Sequence, residues 1–250
     1  MSTPLKQLLK LALNGPLSLF KLQLVRRRQS CQHLYGVCLD EAFAGVETPL
    51  ALDIGAHQGE TTAWILDRYP KTEVVSFEPT PESFRVLDAL RGKYRFRALN
   101  AAVGAENGSL AFHINAQPMT NSLLEMDPAL TALDSNAGQA SHQIQVPVVR
   151  LDDFLKENGL ERPIDYMKLD VQGYEARVLQ GASSTIFRVR FIMVEVQFNP
   201  VYKDSCRVDE LCYLLYRAGF RLVRTIGYLP GHDLDQLVSS DFFFSRGQPA

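Results

Sequence analysis

Cysteine is scarce in this sequence and is not arranged for cross-linking. The 250 residues include four cysteines, at positions 31, 38, 206 and 212, and none forms a Cys-x-x-Cys pair. Disulfide scaffolds use more cysteines at closer and more regular spacings. We therefore exclude a disulfide scaffold and predict a protein of a reducing compartment, the cytoplasm.

Long apolar runs are also missing. No stretch approaches the roughly 20 apolar residues of a membrane-spanning helix. The first residues lack the continuous apolar core and the small-residue cleavage site of a secretory signal. These absences agree with a cytoplasmic location.

Residues 1–30 contain six Lys and Arg and no acidic residue. Because the formal net charge of the whole chain is −2, residues 31–250 carry −8. An acidic body argues against nucleic-acid binding. We interpret residues 1–48 as a helical leader or cap and residues 49–250 as the main domain. The basic, apolar-faced segment 1–28 has two readings: peripheral contact with an anionic membrane surface, here the inner face of the membrane, or packing on a sheet edge or a second copy in a homo-oligomer.

The stretch Leu50–Gly59 predicts a buried strand, a glycine turn and the start of a helix. A dinucleotide fingerprint would have Gly-x-Gly-x-x-Gly here, whereas the sequence has Asp53-x-Gly55-x-x-x-Gly59. A carboxylate in the place of the first glycine repels a pyrophosphate and attracts a sulfonium and an amino group. The pattern therefore favours S-adenosylmethionine (SAM) over NAD, with an NAD-linked oxidoreductase as the alternative.

A second acid follows the next predicted strand, Glu73–Phe77. Glu78 lies 25 positions after Asp53, close to the spacing at which an acid binds ribose hydroxyls in such sheets. The following pattern alternates strands and helices and predicts a parallel sheet covered on both faces. Asp170 and Glu195 also end predicted strands, at the edge where open α/β sheets bind ligands.

The alternation is interrupted between about residues 105 and 150. Residues 108–114 and 144–148 predict an antiparallel strand pair, and the polar segments 117–122 and 137–142 between them predict the loops that bind the acceptor. We place Asn121, Ser122 and His142 in this acceptor site, with His113 and His142 as candidate bases. Asn100 is predicted either to contact adenine or to form an Asx turn. Asp152 or Asp153 is predicted to cap a short helix that opens at Leu151.

Several segments together resemble the FkbM family of SAM-dependent methyltransferases, over about residues 50–245. They are Leu52–Gly59, Phe77–Pro79, Asn100–Gly104, Leu151–Phe154, Lys168–Glu175, Val178–Gly181 and Val194–Glu195. The resemblance implies an α/β fold of the class I, Rossmann-like type: a seven-stranded, mostly parallel sheet with its last strand antiparallel. It also implies O-methylation of a sugar or glycan, a polyketide or another small acceptor.

The resemblance assigns residues to three parts of the site. The cofactor set is Asp53, Gly55, Ala56, Gly59, Glu78, Pro79, Asn100 and Ala101. The reacting centre is bordered by Asp170, Gly173, Glu175 and Glu195, with Gln172 on the acceptor side. Gln172 departs from the family pattern, in which many members have Glu, and this weakens any role of position 172 as a base.

Methyl transfer to oxygen requires in-line alignment and removal of the acceptor proton. Asp170 or Glu195 is the predicted base. Both are also the predicted ligands if a divalent cation such as Mg²⁺ takes part, although metal-free catalysis is favoured. A non-catalytic scaffold that kept the fold is the remaining alternative.

Overall fold

The computed structural model describes residues 27–127, 140–199, 201–230 and 237–247. Most of the basic segment 1–28, part of the predicted acceptor loop 137–142 and part of the loop before the last strand lie outside these ranges. The chain divides into two compact units between Cys38 and Leu39. Helix α1 comprises Arg27–Phe43. Within the described ranges, no helix is both long and apolar enough to span a bilayer.

The second unit alternates strands and helices as predicted. The described strands are β1 (Leu50–Ile54), β2 (Glu73–Phe77), β3 (Arg97–Leu99), β4 (Ala102–Gly104), β5 (Gly108–Asn115), β6 (Ala140–Arg150), β7 (Ile164–Leu169), β8 (Val189–Gln197), β9 (Phe220–Pro230) and β10 (Leu237–Arg246). The described helices after α1 are α2 (Glu60–Arg68), α3 (Pro81–Ala89), α4 (Leu151–Glu157), α5 (Glu175–Gly181) and α6 (Val208–Arg217). The described residues also form three short 3₁₀ helices, at Leu90–Gly92, Pro118–Thr120 and Thr185–Arg188.

Seven of the described strands form the main sheet, in the order β3-β2-β1-β7-β8-β10-β9. The contacts from β3 to β8 are parallel, and β10 is antiparallel to both of its neighbours. This confirms the predicted seven-stranded sheet with an antiparallel last strand. β1 lies in the interior of the sheet and is buried along its whole length, which is why its sequence is apolar, except for Asp53, instead of alternating.

The register of the central strands brings the predicted acids to one edge. Ile54 is level with Phe77 on one side and with Leu169 on the other, and Leu169 is level with Val194. The residues that follow, including Glu78, Asp170 and Glu195, therefore lie at the same carboxyl edge of the sheet.

A second, smaller sheet holds the interrupted region, in the order β4-β6-β5. β5 and β6 pair antiparallel, which confirms the predicted strand pair, and β4 adds a parallel strand that the sequence pattern did not predict. The prediction that Asp152 or Asp153 caps the helix at Leu151 is wrong, because Arg150 is the N-cap residue of α4. Asp152 instead accepts the backbone N–H groups of Ser184 and Thr185 at 3.0 and 2.7 Å.

Candidate active site

A cavity of about 320 Å³ opens at the carboxyl edge of β1, β2, β7 and β8, the position where open α/β sheets bind ligands. Its wall combines backbone of the glycine loop with apolar and ionisable side chains. The ionisable members are His57, Glu60, Glu78, Lys168, Asp170, Tyr174 and Glu195. The wall carries four carboxyl groups, those of Glu60, Glu78, Asp170 and Glu195, and a single lysine, so the described wall favours a cationic ligand.

The glycine loop after β1 is shaped by close packing. Gly55 has φ +82°, and a Cβ atom there would lie 1.9 Å from the backbone oxygen of Asp170. Its N–H and that of Ala56 donate to the oxygen of Phe77 at 3.1 and 2.9 Å. Gly55 and Ala56 line the cavity, but Gly59 does not. Gly59 instead allows the start of α2 to approach Leu90, because a Cβ atom added at Gly59 would lie 2.5 Å from the Leu90 side chain.

Glu78 lies in the cavity wall with both of its carboxylate oxygens fixed. Oε2 accepts the N–H of His57 and Oε1 accepts the N–H of Thr80, each at 2.8 Å. Burial raises the pKa of Glu78 while these N–H donors act to lower it. Each oxygen keeps a further lone pair, so the carboxylate is held in place with capacity for ligand hydroxyls.

Asn100 does not line the cavity, whereas Pro79 and Ala101 do. Its side-chain nitrogen donates to the backbone oxygens of Glu78 and Pro79 at 2.9 and 3.0 Å. Asn100 therefore supports the Glu78 turn from behind, and the structure brings its amide to backbone oxygens instead of to an adenine site.

Asp53 lies beneath the glycine loop and is fully buried, outside the cavity wall. Its Oδ2 accepts the hydroxyl of Thr62 at 2.8 Å, and its Oδ1 lies 3.5 Å from Nζ of Lys168. Burial raises the pKa of Asp53, and Lys168 opposes that shift. The structure thus replaces the expected direct contact with a sulfonium by an internal ion pair.

Lys168 joins the glycine loop to the acids, a role that the sequence analysis missed. Its Nζ donates to the oxygen of Gly55 at 2.9 Å and lies 3.2 Å from Oδ2 of Asp170. Burial alone would lower the pKa of Lys168, but the charges of Asp170 and Asp53 outweigh burial and raise it. The available signal was the spacing of two between Lys168 and Asp170, since residues i and i+2 of a strand share a face.

Asp170 and Glu195 lie together, as predicted, with Gln172 between them. Nε2 of Gln172 donates to Oδ1 of Asp170 at 3.0 Å and to Oε2 of Glu195 at 2.7 Å. Burial, followed by the negative charge of Asp170, raises the pKa of Glu195. The amide group of Gln172 thus supplies the hydrogen atoms that two neighbouring carboxylates need.

Glu175 does not line the cavity. One of its oxygens accepts the N–H groups of Val171 and Gly173, both at 3.2 Å, at the start of α5. Burial raises its pKa to about 7. In this geometry Glu175 shapes the loop that carries Gln172, and the structure does not place it at the reacting centre.

The predicted acceptor residues separate in the structure. Asn121 lines the cavity, as do Pro118 and Met119 before it. Ser122 is buried, and its hydroxyl donates to the backbone oxygen of Gln172 at 2.8 Å. We call Pro118–Ser122 the covering segment.

The two histidines proposed as bases lie elsewhere. His113 is buried on β5, and its backbone pairs with Ser122. His142 is exposed on β6 opposite Ile114. Neither lines the cavity, so the structure does not bring these residues to the site as bases.

His57 and Tyr202 were not predicted as site residues. His57 has φ +49°, and its ring nitrogen Nδ1 lies 3.1 Å from Oε1 of Glu60. Tyr202 donates its hydroxyl to the oxygen of Thr120 at 2.7 Å and lies 3.2 Å from Oε1 of Gln172. Neither residue belongs to a sequence motif whose spacing would have indicated these contacts.

The carboxylate pair does not fit a divalent cation. Among the described residues, no three His, Cys, Asp or Glu side chains are grouped to hold a metal. One oxygen of Asp170 faces the Lys168 ammonium and the other accepts the Gln172 amide. The ammonium group beside Asp170 already supplies a positive charge that would repel a divalent cation at this pair.

The sheet order, the glycine loop and the acids at the carboxyl edge define a class I methyltransferase fold. The chain belongs to the FkbM methyltransferase family, whose model, the methyltransferase FkbM domain, matches residues 53–222. This confirms the methyltransferase prediction, and the alternative of an NAD-linked oxidoreductase is dropped.

Relatives of known name share this similarity. The 2-O-methyltransferase NoeI of Sinorhizobium fredii is 29% identical over 173 residues, covering 67% of this chain and 71% of NoeI. The hexuronic acid methyltransferase AglP of Haloferax volcanii is 23% identical over 186 residues, covering 74% and 70%. Among solved structures, an rRNA methylase from Streptococcus thermophilus aligns with a TM-score of 0.48 and 11% identity, over 91% of this chain and 100% of that one.

Proposed function

We propose that this methyltransferase transfers the methyl group of SAM to a hydroxyl oxygen of a sugar or a related polyhydroxylated small acceptor. The observation that carries the proposal is the cavity itself. It contains a fixed carboxylate, Glu78, on one wall and the Asp170–Glu195 pair on another. The names of NoeI and AglP, a 2-O-methyltransferase and a hexuronic acid methyltransferase, support the acceptor class.

The cofactor end of the cavity is assigned from the glycine loop and Glu78. Under this proposal, Glu78 accepts the ribose hydroxyls, the loop at Gly55 and Ala56 contacts the methionine portion, and Ala101 borders the adenine. The excess of carboxylates in the wall matches the sulfonium and ammonium charges of SAM. The same excess would repel the pyrophosphate of NAD.

The reacting end is assigned to the carboxylate pair. A sulfonium supplies an activated methyl group, so the protein has to align the acceptor and take up its hydroxyl proton. Asp170 is the more accessible acid, with a side chain 35% exposed, and we assign the proton to its carboxylate. The methyl–oxygen bond forms as the sulfur–methyl bond breaks, leaving S-adenosylhomocysteine and a methyl ether.

Two measurements test the proposal in sequence. Isothermal titration should show binding of SAM and S-adenosylhomocysteine and no binding of NAD. Incubation with methyl-labelled SAM and a panel of monosaccharides, uronic acids and glycans should then yield a product one methylene heavier, with the label on oxygen. Absence of SAM binding would overturn the cofactor assignment, and label found on nitrogen or carbon alone would overturn the acceptor class.

A further inference from the structure

Gln172 has a backbone conformation that is unusual for its type. Its φ is +54°, in the left-handed region, which costs a non-glycine residue about 1–2 kcal/mol. Such conformations persist where the surroundings hold them, and they concentrate at functional sites. The contacts of Gln172 identify what holds it.

Both ends of the Gln172 amide have partners. Nε2 donates one N–H to Asp170 and one to Glu195. Oε1 lies 3.3 Å from Nε2 of Gln197 and 3.2 Å from the hydroxyl of Tyr202. These neighbours fix which end of the amide faces the carboxylates, because carboxylates can only accept hydrogen bonds and the Gln197 amide provides a donor for Oε1.

The same residue is bonded to the covering segment. The backbone oxygen of Gln172 accepts the Ser122 hydroxyl. Tyr202, next to Oε1, also donates to the oxygen of Thr120. A single residue therefore contacts the carboxylate pair through its side-chain nitrogen and Ser122 of the covering segment through its backbone oxygen, while its Oε1 lies beside Tyr202, which donates to Thr120.

We propose that Gln172 is a positioning residue that keeps Asp170 and Glu195 side by side as hydrogen-bond acceptors and couples them to the covering segment of the cavity. The proposal rests on the proposed function, in which this pair receives the acceptor proton. Glutamate at this position would keep an acceptor for Gln197 but would provide no donor for the pair. The choice of Gln over Glu therefore supplies the two N–H groups that the neighbouring carboxylates accept.

The charged groups around the pair determine the direction of the expected change. Within the pair, Asp170 at the end of β7 acts on Glu195 of β8; the other titratable groups that face the pair are Lys168 on β7, Glu175 on α5 and Tyr202 in the segment after β8. The Gln172 amide is among the groups that lower the pKa of Glu195. Loss of its N–H groups must raise the Glu195 titration midpoint, and an added carboxylate must raise it further.

The test titrates the carboxyl carbons of ¹³C-labelled protein by NMR and measures hydrogen exchange in the covering segment. Q172L should raise the Glu195 midpoint by at least about half a pH unit and speed exchange in Pro118–Ser122 at least about tenfold. Q172E should raise the midpoint by about one unit or more with little change in exchange. Y202F should speed exchange and leave the midpoint unchanged. Q180E, on the exposed face of α5, is the matched control and should change neither.

An unchanged Glu195 midpoint in Q172E and Q172L would overturn the proposal. If Q172L fails to fold, as judged by circular dichroism, the Glu195 midpoint of Q172E, compared with that of Y202F, still shows whether the midpoint depends on Gln172. The titration and exchange measurements need neither SAM nor the acceptor. A protein that fails to bind SAM therefore overturns the proposed function, and a protein with an unshifted midpoint overturns the role of Gln172.

Discussion

Replacing Lys168 with methionine removes the charge that neutralises the most deeply buried acid of the site. The Lys168 side chain is 8% exposed and that of Asp53 is 0% exposed. Methionine keeps the length and apolar character of the lysine stem. It eliminates the ion pair with Asp53, the ion pair with Asp170 and the hydrogen bond to Gly55. Of the polar contacts of Asp53, the hydrogen bond from Thr62 remains.

The size of the effect follows from what Asp53 can do without a partner. Breaking a buried ion pair by removing one member costs about 3–5 kcal/mol. Asp53 can avoid the cost of a buried charge by taking up a proton. From its ordinary value of 3.8, that uptake costs about 5 kcal/mol at pH 7.5 and about 2.3 kcal/mol at pH 5.5, at 1.36 kcal/mol per unit. We therefore expect the free energy of unfolding to fall by about 3–5 kcal/mol at pH 7.5, and by roughly half as much at pH 5.5.

The direction of the pH dependence is a further check. The pKa of Asp53 is already raised in the folded protein, and losing Lys168 raises it further. Folding then favours the protonated carboxyl group, so the loss of stability in the variant grows as pH rises from the ordinary pKa of an aspartate to the raised folded value. In the wild type, Lys168 has a raised pKa, so its contribution is complete below pH 10 and stays constant from pH 5.5 to 7.5.

Urea unfolding followed by circular dichroism at the two pH values gives these free energies by linear extrapolation. Lys71→Met is the matched control, because Lys71 forms an exposed pair with Glu47, and exposed pairs contribute little. The double variant K168M/D53N should recover part of the loss at pH 7.5. Equal unfolding midpoints for K168M and the wild type at pH 7.5 would refute the view that Lys168 compensates the charge of Asp53.

Three further outcomes are expected. Glu78→Ala should weaken SAM binding by about 1.5–3 kcal/mol in isothermal titration, the scale of a lost hydrogen bond to a charged group. The control variant Glu82→Ala, on the exposed start of α3, should bind SAM normally. An unchanged Kd for Glu78→Ala would show that Glu78 is not part of the SAM site. Asp170→Asn should lower kcat at least about 100-fold with SAM affinity nearly unchanged, and a wild-type rate in this variant would disprove Asp170 as the proton acceptor. The activity of the wild-type protein should also persist in EDTA. Gly55→Ala should lower the melting temperature more than Gly159→Ala, because both glycines have positive φ but an added Cβ clashes at Gly55 and meets nothing within 4 Å at Gly159; equal melting temperatures would contradict the packing argument.

The fold and the location of the site could be predicted because both depend on local patterns. The apolar run Leu50–Ile54 and its glycine turn indicate a buried parallel strand. Acids that follow parallel strands must meet at one edge, since parallel strands end on the same side of the sheet. Glu78, Asp170 and Glu195 therefore line one cavity, as expected from their spacing alone.

The direct partner of each side chain could not be read from the same patterns. Asn100 follows a strand just as Glu78 does, yet it faces the backbone of the Glu78 turn instead of the cavity. Gly55 suggests room for a ligand, but the backbone oxygen of Asp170, more than a hundred residues away, is what excludes a Cβ atom there. These outcomes depend on strand neighbours, which chain order does not specify.

The amino-acid sequence by itself determined the alternation of most strands and helices and the edge at which the acids collect, because periodicity and spacing act over a few residues. The resemblance of whole segments to a known family determined the family. Only the tertiary structure decided that Asp53 lies beneath the site with Lys168, and that Gln172 stands between Asp170 and Glu195. Each of these arrangements joins residues from different strands or loops. Their distances are set by how β1, β7 and β8 pack side by side, and buried charges and amides then take the partners that this packing brings within hydrogen-bonding range.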